Sequence, residues 1–193
     1  MSVLLLALGL VVGQAGAFAA QGAPRGEAAW SGEALLGRPA PELAVTHWTN
    51  SEPLTLADLR GKVVLLRWWT APGCPFCAAT APSLNELHER YADRDLVIVG
   101  LYHHKSTAPL DPAQVERYAE AFGFRFPLAI DEGWETLRHW WLDGAEQQWT
   151  SVSFLLDREG VVRWLHPGGE YPPGSEDYAE LVTTVEALLD EGE

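Results

Sequence analysis

The run Val63-Val-Leu-Leu-Arg67-Trp68-Trp69 has no outward polar face. Six of its seven positions are apolar and cannot alternate between core and water, so it reads as a strand buried on both faces of a sheet. That requires a layer of structure on each side. Directly after it, Ala78, Ala81, Leu84, Leu87 and Tyr91 recur at helical spacing, and a helix from Pro75 to Tyr91 is predicted, with Pro82 inside it as a kink. A second apolar run, Leu96 to Tyr102, is the next buried strand, and Asp111-Pro112 opens a helix that ends at Gly123. Strand, helix, strand, helix implies a right-handed parallel arrangement and an α/β fold.

The remaining segments complete the sheet. Leu43 to Trp48 and Leu54 to Leu56 alternate around Asn50-Ser51 as an N-terminal hairpin would. Phe126 to Ile130 reads as a short strand and Trp134 to Trp141 as a short helix. Val152 to Asp157 and Val161 to His166 read as a hairpin turning at Arg158-Glu159-Gly160, and Ser175 to Leu189 as a closing amphipathic helix. The length of 193 residues suits one domain with appendages. Residues 1–20, apolar from Val3 to Val12 apart from glycine and followed by small residues, read as an export signal, with an uncleaved membrane anchor as the alternative. Residues 21–37 read as a linker and 38–191 as the folded body. The net charge of −14, without a Lys/Arg cluster, argues against nucleic acid or anionic lipid as a partner.

Both cysteines of the chain, Cys74 and Cys77, lie in the turn between the first core strand and its helix. A disulfide closing so short a loop constrains almost nothing in the unfolded chain, so a structural staple is a poor explanation. Disulfide exchange is a better one. At the mouth of a helix, unpaired amides and the dipole favour a negative sulfur, and Pro75 at the first helical position has no amide to leave unsatisfied. Cys74 is therefore the expected nucleophile, and Cys77, one turn on and facing inward, the resolving thiol. No cofactor or metal is expected.

The ordered series Arg60-Gly61-Lys62-Val63-Val64-Leu65-Leu66, Cys74-Pro75-Phe76-Cys77, Ala81-Pro82-Ser83-Leu84, Phe122 to Asp131 and Phe154 to Val162 resembles the thioredoxin superfamily, in particular its exported thiol:disulfide oxidoreductases of the TlpA and ResA type. The resemblance implies a thioredoxin-like fold, a central mixed sheet flanked by helices with an inserted helix and strand. It further implies protein thiol or disulfide substrates, a membrane redox partner and an extracytoplasmic location. The substrate would lie against Pro75, Phe76 and the facing loop at Thr150 and Ser151. Three positions depart from the family pattern. Ser151 stands where a cis-proline is usual, so a trans peptide or a local rearrangement is expected. Thr80 replaces a glutamate three residues after the second cysteine. The buried acid of cytosolic thioredoxins falls near Arg67 or Trp68, neither of which is a carboxylate base, leaving a water or a nearby histidine to serve.

Two other readings use the same residues. A copper or other metal carrier of this fold, like the Sco-type metallochaperones, would need CxxxC spacing and a histidine before the last hairpin, where Gln147 to Thr150 stand. A non-catalytic binding module would use the Trp-rich stretch of Trp134, Trp140, Trp141 and Trp149, although core and lid packing is the expected fate of those rings. His103-His104 reads as a solvated loop beyond its strand, with a place on the site rim as the alternative. A peroxiredoxin would need Thr or Ser at Ala71 and Arg in place of Ser151, so both of its peroxide-activating groups are missing.

Overall fold

A computed structural model of the chain describes residues 33–143 and 149–191. The export signal and residues 21–32 of the expected linker lie outside the described residues. The strands are β1 (Thr46–Thr49), β2 (Val63–Trp69), β3 (Leu96–His103), β4 (Leu128–Asp131), β5 (Ser153–Leu156) and β6 (Val162–His166). The helices are α1 (Pro75–Tyr91), α2 (Pro112–Phe122), the single turn α3 (Glu135–Leu137), which runs on as a π-turn over Arg138–Leu142, and α4 (Glu176–Asp190). One sheet carries all six strands in the order β1-β4-β3-β2-β5-β6. β2, β3 and β4 are parallel, and β1, β5 and β6 join antiparallel, so the expected mixed sheet forms.

All seven residues of β2 are buried, as a strand at the centre of the sheet requires. Its side chains alternate between two cores. Val63, Leu65 and Trp69 pack with the inner faces of α1, α2 and α4, including Cys77, Leu84, Val115 and Leu181. Val64, Leu66 and Trp68 pack on the opposite face with Leu56, Leu59, Trp140, Trp141 and Phe154. The period of two therefore sends Arg67 to the helical face, toward α1.

Local chemistry explains the helix ends. Asp111 accepts from the Ala113 amide at the start of α2, and Gly123 closes it in the left-handed region at φ 73°. Ser175 caps α4 by accepting from the Tyr178 amide. Helix α1 continues through Pro82 without interruption.

The expected N-terminal hairpin does not form. Leu54 to Leu56 makes no strand; β1 instead pairs with β4, Thr46 opposite Ile130 and Thr49 opposite Leu128. Leu56 is needed elsewhere, buried in the second core. β4 begins at Leu128 rather than Phe126 and ends on the buried Asp131. Ordered contacts also start ahead of residue 38: Gly37 donates to the Val162 carbonyl at 2.8 Å, docking this segment on the sheet edge.

Candidate active site

At the carboxyl end of β2 the chain turns through Thr70 to Gly73 and enters α1 with Cys74 as the N-cap. The Cys74 amide closes the turn by donating to the Ala71 carbonyl at 2.9 Å. In the usual N-cap role the side chain accepts an otherwise unpaired amide of the first turn. Here that acceptor is sulfur: the Cys77 amide donates to Cys74 Sγ at 3.3 Å. Both cysteines are free thiols, Cys74 partly exposed and Cys77 only 2% exposed.

The two thiols differ sharply in acidity. The Cys77 thiol donates to Cys74 Sγ and holds the Cys74 pKa down at about 6; the Cys77 amide and the charges of Arg67 and Lys105 act in the same direction, against partial burial. That same hydrogen bond, followed by burial, drives the Cys77 pKa far up. At neutral pH Cys74 is therefore mostly thiolate and Cys77 is a thiol. The largest effect on Cys74 thus comes from Cys77 itself and not from the helix mouth.

A cleft of about 440 Å³ opens over the pair, and Pro75, Phe76, Thr150 and Ser151 all line it with Cys74 and Cys77. The six residues singled out in the sequence are thus brought together. All peptide bonds among the described residues are trans, so Ser151 has the expected trans geometry. Its hydroxyl accepts from the Gly169 amide at 3.1 Å, tying the loop before β5 to the loop after β6.

Four further residues belong to the site. His103 is not in a solvated loop: it ends β3, is 1% exposed and lines the cleft. Its Nε2 meets Thr150 Oγ1 at 2.8 Å. Burial, then the charge of Lys105, holds its pKa at about 3, so the ring is neutral at physiological pH. Lys105 lines the same cleft. Trp149 is 48% exposed on the rim, edge-on to Phe76 with ring centroids 5.0 Å apart. Its carbonyl accepts from Trp141 Nε1 at 2.8 Å, and its Cβ leaves no room for a side chain at Gly168, where an added Cβ would lie 2.4 Å away. Trp140 and Trp141 are fully buried, so the Trp-rich stretch divides between core and rim. Arg67, the fourth, is buried on the helical face of β2, where it donates to Thr80 Oγ1 of α1 and its charge acts on both cysteines.

Comparison with known proteins agrees with this geometry. The chain is 30% identical over 156 residues to protein DipZ of Mycobacterium bovis, covering 79% of this chain and 21% of DipZ, so it spans about a fifth of that relative's length. It is 27% identical over 148 residues to the thiol-disulfide oxidoreductase ResA of Bacillus thuringiensis, covering 77% of this chain and 79% of ResA. Among solved structures, a candidate protein disulfide isomerase from Bacteroides thetaiotaomicron superposes with a TM-score of 0.65 at 28% identity, over 81% of this chain and 91% of that one. The sheet order and the strand-to-helix cysteine turn make this a thioredoxin-like fold. With residues 36–165 matching the model of the AhpC/TSA family, the chain belongs to that family.

Proposed function

We propose that the protein is a thiol:disulfide oxidoreductase that exchanges its Cys74/Cys77 dithiol with disulfides of protein substrates outside the cytoplasm. One observation carries this reading: a partly exposed sulfur of lowered pKa caps a helix and accepts from the amide of a buried cysteine whose own thiol pKa is raised. The kinship with ResA supports it. Within the AhpC/TSA family, peroxide reduction is the other chemistry to consider, and Ala71 and Ser151 line the cleft where its activating hydroxyl and guanidinium would be needed.

The steps follow from the geometry. Cys74 thiolate attacks one sulfur of the substrate disulfide; that bond breaks and the departing substrate thiolate takes up a proton. Cys77 then loses its proton to the second departing substrate thiolate as its sulfur attacks Cys74 Sγ. The products are an enzyme disulfide and a substrate dithiol, two electrons having passed to the substrate. A dithiol donor must reduce the enzyme again, the role assigned to a membrane redox partner. Phe76 and Trp149 offer an apolar edge to the substrate chain, and the loop at Thr150 and Ser151 faces it across the cleft. Residues 1–20 serve as signal or tether, joined by a spacer to a catalytic domain whose docked segment already includes Gly37.

In an insulin-reduction assay with dithiothreitol as electron source, the protein is expected to accelerate precipitation of the insulin B chain in proportion to its concentration. A rate equal to that of dithiothreitol alone, with the dithiol shown to be intact, would contradict the proposed activity.

A further inference from the structure

The three departures from the family pattern noted in the sequence meet at one group in the fold. The Arg67 guanidinium, on a residue 1% exposed, donates through Nη1 to the Ser151 carbonyl and, at 3.3 Å, to Ser153 Oγ. Nη2 donates to Thr80 Oγ1 at 3.4 Å and to the Gly169 carbonyl at 2.8 Å. The guanidinium also lies over the Tyr171 ring, 5.1 Å from its centroid. Every partner is a neutral oxygen or an aromatic face. No ion pair among the described residues includes Arg67. A buried cation is ordinarily matched by a carboxylate, because desolvation costs several kcal/mol. Here both Nη atoms are hydrogen-bonded while the charge has no carboxylate beside it.

We propose that Arg67 is a positioning residue of the dithiol site: it holds the Ser151 loop opposite the helix mouth, and its unneutralised charge favours the reduced, thiolate-bearing form of the Cys74/Cys77 couple. This rests on the oxidoreductase reading for its purpose, though not for its electrostatics. The charge acts on both cysteines, lowering the pKa of each, and also on His103 at the end of β3 and His166 at the end of β6. Lys105, in the loop after β3, is the other cation acting on Cys74. Both histidines have lowered pKa values, chiefly through burial, so they add no competing positive charge near neutral pH. Stabilising the thiolate stabilises the dithiol relative to the disulfide and makes the disulfide the stronger oxidant. Where a buried acid would receive the proton of the second thiol, this site carries a fixed positive charge.

Two variants test this. Arg67→Met removes the charge; Thr80→Glu keeps the guanidinium and sets a carboxylate beside it. Each is expected to raise the Cys74 thiolate midpoint, followed by absorbance at 240 nm, by about one pH unit, a tenfold change in acidity. At pH 7 a shift from about 6 to about 7 lowers the thiolate's stabilisation of the dithiol about fivefold. The glutathione equilibrium should move by the same factor, making the couple about 20 mV more reducing. A purely structural arginine would lower the melting temperature in Arg67→Met and leave both quantities in place. An unchanged midpoint and an unchanged glutathione equilibrium in Arg67→Met overturn the inference; should that variant not fold, the same result in Thr80→Glu does so. If both variants shift as expected but wild-type protein fails to reduce insulin, the electrostatic assignment stands and the oxidoreductase reading fails.

Discussion

Cys74→Ser is expected to slow exchange with a protein disulfide by on the order of a thousandfold or more, to the background rate. Attack on a disulfide sulfur requires a thiolate, and a serine hydroxyl supplies none near neutral pH. The remaining thiol cannot substitute. Cys77 is 2% exposed, and with Cys74 absent it is still a buried thiol at the base of the cleft. Cys77→Ser has the complementary outcome: the first attack proceeds, but nothing resolves the mixed disulfide, so a covalent adduct with the substrate accumulates. Non-reducing electrophoresis followed by mass spectrometry distinguishes the two variants. Turnover retained in Cys74→Ser, or an adduct on Cys77 rather than Cys74, would contradict the assigned order of attack.

The second large effect is on stability. Asp131 is fully buried at the end of β4, and its carboxylate accepts from Trp68 Nε1 at 3.1 Å, the Thr136 amide at 3.2 Å and the Leu137 amide at 2.8 Å. It therefore joins the central strand to the turn α3. Asp131→Ala would leave three buried donors without partners, at about 1–3 kcal/mol for each. Their joint loss, not fully additive, is expected to cost about 3–5 kcal/mol, a large share of the 5–15 kcal/mol typical of a folded domain. For a chain of this size that corresponds to a fall in melting temperature of roughly 10 °C. Asp131→Asn keeps an oxygen for two of the donors and should lose about half as much. Both are measured by urea or thermal unfolding. Equal stability of wild type and Asp131→Ala would show that the three hydrogen bonds carry no net weight. The substitution should also loosen the cleft rim, because the turn stabilised by Asp131 leads into Trp141, which holds the Trp149 carbonyl.

The parts of the fold legible in the sequence are those whose burial repeats with a clear period. β2, α1, α2, the β5–β6 hairpin and α4 each have one apolar face or none polar, bounded by caps such as Asp111, Gly123 and Ser175. β1 was misassigned because alternation shows that a segment is a strand and not which strand it meets. Its partner Ile130 lies 84 residues from Thr46, beyond the reach of any local signal. Asp131 was hidden for a similar reason: an acid at the end of an apolar run resembles a turn residue until the donors around it are known.

The cysteine pair was legible from its place between an apolar strand and a helix, whereas the facing loop at Thr150 and Ser151 came only with the family resemblance. His103 was misread by a single residue of strand length, which moved it from the solvated loop to the cleft wall. Arg67 is more instructive. The alternation of Leu65, Arg67 and Trp69 along β2 puts it on the helical face, the same side as Cys77. The family pattern draws attention there to a missing carboxylate, and only the surrounding neutral acceptors show what the cation does.

The most direct measurement is the rate of iodoacetamide modification of the reduced native protein between about pH 4 and pH 9, with the modified residue located by mass spectrometry. Cys74 sheds its proton as pH rises, so reactivity should climb through a midpoint near 6 and level off, falling about tenfold from the plateau by pH 5. The expected product carries one label on Cys74 and none on Cys77. A midpoint near the ordinary thiol value, or labelling of Cys77 first, would contradict a thiolate held ready at the helix mouth above a protected partner.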